Sequence, residues 1–341
     1  MSCSHVTATT PLVDGFGRVH TDLRISVTDR CNLRCTYCMP LEVAFKPRDE
    51  LLSYEEITRV VRVAAGLGIR TLRLTGGEPL VRSGVDELVR QLAAVPGIDD
   101  IALTTNGLLL AEQAGSLARA GLHRLNVSLD SLRADVFEAI ARRPGLDRVL
   151  EGLAAAKGAG FRRIRINAVS IRGLTETEIV PLARFCRREG FHLRFIEFMP
   201  LDAEAGWSHE QVLSGAEVRA ILEREVGPLV AAARPDAGQP AIDYDWVDGE
   251  GTVGFIDPVT QPFCDACDRL RLTADGQFRN CLFSTEEWDA RAVLRSGSPD
   301  EAIDAGLAAA LRECVAAKRR AHGIGTPGFA RPQRAMFQIG G

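Results

Sequence analysis

Between Asp22 and about Met199 the sequence predicts an α/β fold, and three observations carry that reading. Short β-branched or apolar runs alternate with longer segments of helical periodicity. The connections between them are short, as expected of parallel strands joined by right-handed crossovers. Arginines stand at the start of several strands or at alternate positions in them, as with Arg24, Arg73, Arg163 and Arg165. A doubly wound sheet and a barrel both fit the alternation. Side chains two residues apart share one face of a strand, and a barrel interior open on one side gives such charges a wet place to point. The expectation is a partial (βα)6 barrel of the TIM-like kind, followed by an α+β extension.

Taken in order, the first twenty residues have no basic start followed by an apolar run, so they do not read as a secretory signal. The strands are expected at Leu23 to Thr28, Thr71 to Thr75, Ile101 to Thr105, Arg124 to Leu129, Arg163 to Val169 and Leu193 to Phe198. After the first of them, Ser53 with Glu56 forms a capping box that opens a helix through ITRVVRVAAGLG. Past Pro200 the texture changes. LDAEAGWSHEQ reads as a loop, SGAEVRAILEREVG as a helix, and PDAGQPAIDYDWVDGEGTVGFIDP as turn-rich β structure. RLRLTADGQFRNCLF reads as a hairpin turning at Asp275-Gly276. Two further helical segments precede a Gly- and Pro-containing tail. The division expected is an arm over 1–21, a core over 22–200, an extension over 201–325 and a tail over 326–341.

The 341 residues are 46% hydrophobic and 25% charged, which suffices for a substantial core. With 41 basic and 45 acidic side chains the formal charge is −4, so there is no electrostatic case for nucleic-acid binding, and an anionic ligand must be held locally. Lys46, Lys157 and Lys318 are the only lysines; the other 38 basic residues are arginine, whose planar fork suits phosphates and carboxylates. No apolar stretch approaches the roughly 20 residues of a membrane span. Nine cysteines, clustered and odd in number, argue for metal or redox chemistry in a reducing cytoplasm rather than a disulfide framework.

Cys31, Cys35 and Cys38 form C-x3-C-x2-C directly after the first expected strand. Zinc sites usually want four ligands, and no nearby histidine completes this one. Three thiolates suit a four-iron four-sulfur (4Fe–4S) cluster with one iron left open, and an open iron is a substrate site. A second set, Cys264, Cys267 and Cys281, has the spacing C-x2-C-x13-C. It reads either as a zinc ribbon short of a ligand or as another cluster with an open position. Arg269 and Arg271 alternate beside it, a cationic cradle for an anionic substrate. Cys3 falls in the arm, while Cys186 and Cys314 fall in helical patterns and read as small packed hydrophobes.

The first motif, with Tyr37 before its last cysteine and TGGEP at Thr75 to Pro79, resembles the signature of the radical S-adenosylmethionine (SAM) superfamily. The wider set resembles the GTP 3′,8-cyclase (MoaA) family of molybdenum cofactor biosynthesis: DGFGR, LRISVTDRCNLRCTYCMP, LRLTGGEPLVR, LTTNG, LNVSLDS, INAV, FIEFMP, CDACDRLRLTADG…CLF and a terminal Gly-Gly. That resemblance implies two 4Fe–4S clusters, the first on Cys31, Cys35 and Cys38 and the second on Cys264, Cys267 and Cys281. It implies SAM contacts from Tyr37, Gly77, Ser128 and Met199. It implies GTP contacts from Arg24, Arg73, Thr104, Arg165, Arg269 and Arg271, with the family's usual lysine replaced at Arg165. The implied chemistry is SAM cleavage to a 5′-deoxyadenosyl radical, hydrogen abstraction from C3′ of GTP and closure onto C8, with no residue catalytic beyond the clusters and SAM. The Gly340-Gly341 tail is expected to enter the active site. Implied partners are an electron donor such as flavodoxin or ferredoxin and a downstream cyclic pyranopterin monophosphate synthase (MoaC family), without nucleic acid or membrane, in a monomer or homodimer. The competing readings are another radical SAM enzyme with an auxiliary cluster, such as a peptide-modifying one, and a non-catalytic zinc-binding module.

Overall fold

Six parallel strands, β1 (Asp22–Ser26), β2 (Thr71–Thr75), β3 (Asp100–Thr105), β4 (Arg124–Ser128), β5 (Ile164–Ser170) and β6 (His192–Glu197), lie side by side in chain order in the computed structural model. It describes residues 10–202, 204–234 and 238–340; Cys3 and Gly341 lie outside the described residues. The helices between the strands are α1 (Tyr54–Gly66), α2 (Val85–Ala93), α3 (Leu110–Ala120), α4 (Ala134–Ala141), α5 (Leu146–Gly158) and α6 (Ile179–Glu189). The Ser53 hydroxyl accepts from the Glu56 amide at 3.2 Å while the Glu56 carboxylate accepts from the Ser53 amide at 2.7 Å, closing the expected capping box. From that start α1 buries Ile57, Val60, Val61, Ala64 and Ala65, the i, i+3, i+4, i+7, i+8 stripe of an amphipathic helix. Among the described residues no helix is long and apolar enough to cross a membrane.

Strand parity separates core from interior. Leu23 and Ile25 of β1, Leu72 and Leu74 of β2 and Ile164 and Ile166 of β5 are buried in the main hydrophobic core. The alternate positions belong to the other face: Arg24 pairs with Arg73 across β1 and β2, Thr104 with Asn126 across β3 and β4, and Asn167 with Arg194 across β5 and β6. The expected open edges of the partial barrel are not left bare. The chain after Pro200 runs through α7 (Gly215–Glu225), β7 (Leu229–Ala231), β8 (Ile242–Trp246), β9 (Thr252–Ile256), β10 (Arg269–Leu272), β11 (Gln277–Arg279), β12 (Trp288–Asp289), α8 (Ala290–Leu294), α9 (Asp300–Ala316) and α10 (Met336–Ile339). Here β9 pairs parallel with β6 and β10 pairs parallel with β1, giving one twelve-stranded sheet in the order β12-β11-β10-β1-β2-β3-β4-β5-β6-β9-β8-β7. The extension therefore caps both unpaired edges, which otherwise invite association. The hairpin expected at Asp275-Gly276 is β10–β11, with Gly276 at φ +82°, a conformation that glycine adopts without strain.

Candidate active site

The parallel pairing of β10 with β1 decides the site. It sets Arg271, Arg24 and Arg73 abreast on three neighbouring strands and brings the Cys264–Cys267 turn over the barrel. One cavity is lined by both cysteine triples, by Tyr37, Gly77, Ser128 and Met199, and by Arg24, Arg73, Thr104, Arg269 and Arg271. Arg165 is absent from that lining. It sits opposite Asn126 and His192, one step short of the Asn167–Arg194 pair that does reach the cavity. Arg194 went unrecognised in the sequence although its place in the β6 pattern carried the same signal as Arg24: an arginine between buried apolar neighbours.

Cys31, Cys35 and Cys38 occupy the loop after β1. The loop is tied to the end of α4 by the amides of Arg34 and Thr36, which donate to Ala141 and Ile140 at 3.0 Å each. Burial pushes the Cys31 thiol up to about 11 and the Cys38 thiol to about 12, and raises Cys35 well above the ordinary thiol value. These sulfurs keep their protons until a metal displaces them. The TGGEP segment lies against the same loop. A Cβ on Gly77 would stand 2.4 Å from the Arg30 carbonyl oxygen, so only glycine permits this approach. The next residue, Glu78, is buried and accepts from the Leu80 amide at 3.0 Å, the Thr105 hydroxyl at 2.7 Å and the Asn106 amide at 2.7 Å. Burial raises its carboxyl to about 7 against those hydrogen bonds. Asn106, fixed in this way, points its amide at the Cys31 sulfur, 3.8 Å away.

Tyr37 donates its hydroxyl to Asp130 Oδ2 at 2.7 Å, and Asp130 Oδ1 accepts from the Val169 amide at 2.8 Å. Asp130 thus holds the ring beside the first triple. Asp130 stands two residues past Ser128 within LNVSLDS, but its role is fixed by Tyr37, 93 residues earlier in the chain.

The second triple is assembled from separated pieces: the turn carrying Cys264 and Cys267, and Cys281 just beyond β11. Arg269 donates to the Cys267 sulfur at 3.2 Å and lies 4.6 Å from the Phe263 ring centre. Although burial acts to raise the Cys267 thiol, the charges of Arg269 and Lys318 bring it down to about 7. DGFGR gains a role here. Arg18 pairs with Asp14 at 2.6 Å and donates to the carbonyls of Cys264 (2.6 Å), Arg319 (2.9 Å) and Arg320 (3.0 Å), so the arm grips the turn from outside. Among the described residues no three His, Cys, Asp or Glu side chains are arranged to hold a single metal ion. The donor chemistry of each triple, three soft sulfurs lining one cavity, fits a larger cluster that binds each thiolate through a different iron.

Between the triples the interior is cationic. Burial, with repulsion from neighbouring guanidinium groups, lowers Arg24 to about 9 and Arg73 to about 10, and pushes Arg271 well below the usual guanidinium range. Among the described residues, the Nε atoms of Arg24, Arg73, Arg194 and Arg269 are buried without a hydrogen-bond partner. Buried donors left unpaired are costly unless an anion meets them. Gly340 also reaches this floor: its carbonyl accepts from Arg271, and a Cβ there would stand 2.8 Å from Thr75 Cγ2. The preceding tail is anchored by Arg334 to Asp275 at 3.0 Å and to Glu287 at 2.8 Å, and by Arg331 to Asp202 at 2.6 Å. Cys186 and Cys314 are buried free thiols away from the cavity.

Residues 25–186 match the family model of the radical SAM superfamily, and residues 191–324 match that of Molybdenum Cofactor Synthesis C. The chain is 50% identical to the GTP 3',8-cyclase of Rhodopirellula baltica over 97% of this chain and 92% of that one. It is 47% identical to the GTP 3',8-cyclase of Pelotomaculum thermopropionicum (96% and 99% covered) and 48% to that of Mycolicibacterium smegmatis (97% and 92%). Among solved structures, Streptococcus suis SuiB bound to S-adenosylmethionine superposes with a TM-score of 0.61 at 16% identity, covering 83% of this chain. This chain spans 64% of SuiB, less than two thirds, and the likeness is one of fold.

Proposed function

The chain belongs to the GTP 3′,8-cyclase family of radical SAM enzymes, and from that premise we propose that it converts GTP to (8S)-3′,8-cyclo-7,8-dihydroguanosine 5′-triphosphate, the opening step of molybdenum cofactor biosynthesis. The observation that carries the reading is the row Arg271–Arg24–Arg73. Three buried guanidinium groups stand on one barrel level between two cysteine triples, with the Nε donors of Arg24 and Arg73 unpaired. A triphosphate supplies the anion such a row lacks, through bidentate charge-assisted hydrogen bonds.

Cys31, Cys35 and Cys38 would hold one 4Fe–4S cluster, and Cys264, Cys267 and Cys281 a second. When bound, the first cluster and SAM supply the reductive cleavage that yields a 5′-deoxyadenosyl radical. The protein's part is placement. Gly77 lets the TGGEP strand lie against the cysteine loop, while Tyr37, Ser128 and Met199 line the SAM side. Arg24, Arg73, Arg271 and Arg194 grip the phosphates, and Thr104 and Arg269 flank the nucleoside. Arg165, one step below, adds positive potential without direct contact. The tail, held by Arg331 and Arg334, keeps water from the substrate so that the reacting atoms meet in one orientation. An electron from a flavodoxin or ferredoxin, a reducing cytoplasm, and a cyclic pyranopterin monophosphate synthase as recipient of the product complete the reading.

The test is anaerobic reconstitution with iron, sulfide, SAM and a reductant, offered GTP, ATP or a peptide. About four iron and four sulfide per triple and a cyclised nucleotide from GTP alone are expected. Zinc without iron, or SAM turnover that modifies the peptide and leaves GTP intact, would refute the reading.

A further inference from the structure

Lys318 is one of three lysines in the chain, and the reaction just described does not use it. It lies two residues beyond the end of α9, with its amide donating to Val315, and it is 5% exposed. Its ammonium spends all three donors inward: on the Asn280 carbonyl at 2.6 Å, the Arg269 carbonyl at 2.8 Å and the Cys267 sulfur at 3.6 Å. None of these partners is a carboxylate.

Two consequences follow from this placement. Arg269 is two residues past Cys267, and Asn280 immediately precedes Cys281, so one ammonium joins the two ends of the thirteen-residue interval between Cys267 and Cys281. Asn280 closes the ring by donating its side-chain amide to the Cys314 carbonyl at 2.8 Å, which fixes the same strand end to α9. The second consequence is electrostatic. A buried ammonium is costly unless a negative group meets it, and among the three partners of Lys318 the one that can become negative is the Cys267 sulfur, which does so as a metal ligand. Positive charge this near a cluster favours its more negative, reduced state. Among the described residues no cation donates to a sulfur of the first triple: the side-chain donors there are Asn106 and Tyr37, both neutral, and Arg34, whose charge is felt at Cys31, spends its guanidinium on the Cys31 and Leu33 carbonyls at 2.8 Å each.

We propose that Lys318 is a positioning residue of the second cysteine triple, whose buried ammonium clamps the Cys267 and Cys281 ends together and raises the reduction potential of the cluster they hold. The proposal rests on the reading that this triple carries a 4Fe–4S cluster. It is tested in the full-length chain with Cys31, Cys35 and Cys38 replaced by Ala, so that iron and paramagnetic signals report the second site alone. Lys318→Met and Lys318→Arg are compared with this parent by iron and sulfide analysis, by EPR-monitored potentiometric titration and by near-UV circular dichroism for folding. The expected result is that Lys318→Met lowers the reduced-to-oxidised ratio at fixed potential about tenfold, about 59 mV for a one-electron couple, or sheds the iron, while Lys318→Arg keeps both. A Lys318→Met protein with full iron and the parent's potential overturns the proposal, as does equal loss of iron from both folded variants. A parent that binds no iron instead overturns the second-cluster reading on which the proposal stands.

Discussion

The two cysteine triples line one cavity but are built in opposite ways. The first is a single loop of eight residues, Cys31 to Cys38, whose thiols burial holds protonated. The second draws on the arm through Arg18, the Cys264–Cys267 turn, the end of β11 and the exit of α9, and sets two cations against Cys267. The contrast teaches that ligand spacing and ligand environment are separate properties. The first site depends on the metal to displace its protons, whereas the second has a sulfur already biased toward thiolate by its neighbours.

The largest expected effect separates the two triples outright. Cys35→Ala should leave no 5′-deoxyadenosine above background. Cys281→Ala should still cleave SAM but form little cyclised nucleotide; chromatography of both products checks this, and normal cyclisation by Cys281→Ala would erase the distinction. Next, Arg271→Ala removes a buried charge-assisted donor worth about 1.5–3 kcal/mol, so apparent GTP affinity should fall roughly ten- to a hundredfold in equilibrium binding. SAM binding should hold.

A smaller effect sharpens the steric side of the comparison. Gly77→Ala drives a Cβ into the Arg30 backbone, which should cost about 1–3 kcal/mol and lower Tm by several degrees. At Gly340→Ala the nearest atom is the methyl group of Thr75, so the loss of Tm should be less, although φ there is +85°.

The last concerns pH and belongs to the second region only. Burial, with the nearby Lys318 charge, depresses His20 to about 4 against a hydrogen bond from its ring to the Asp14 carboxylate. Its folded value lies below the unfolded 6.5, so the unfolded chain binds the proton first as pH falls. Stability is therefore full above about 6.5 and declines toward pH 4, by on the order of 1–3 kcal/mol. Thermal melts check this: between pH 6.5 and 4 the Tm of the wild type should fall more steeply than that of His20→Gln, and parallel profiles would contradict it.

Much of this was legible in the sequence. The six barrel strands fall within one or two residues of their expected limits, and the Ser53–Glu56 cap and the Asp275-Gly276 turn follow from local chemistry. The structure gathers all the expected site residues but Arg165 around one cavity. What escaped was non-local. A period of two shows which face Arg165 and Arg194 share but not how far along the barrel each lies; that depends on register with His192 and Asn167. The pairing of β10 with β1 joins residues some 250 positions apart, and no local pattern announces it. Asp130, Arg18 and Lys318 were missed for the same reason: each acts through a partner far away in sequence.

The most direct test of the central claim is a single anaerobic turnover with GTP deuterated at C3′. The account predicts deuterium in the 5′-deoxyadenosine released and a cyclised triphosphate in matching amount. Unlabelled 5′-deoxyadenosine alongside intact GTP would contradict it.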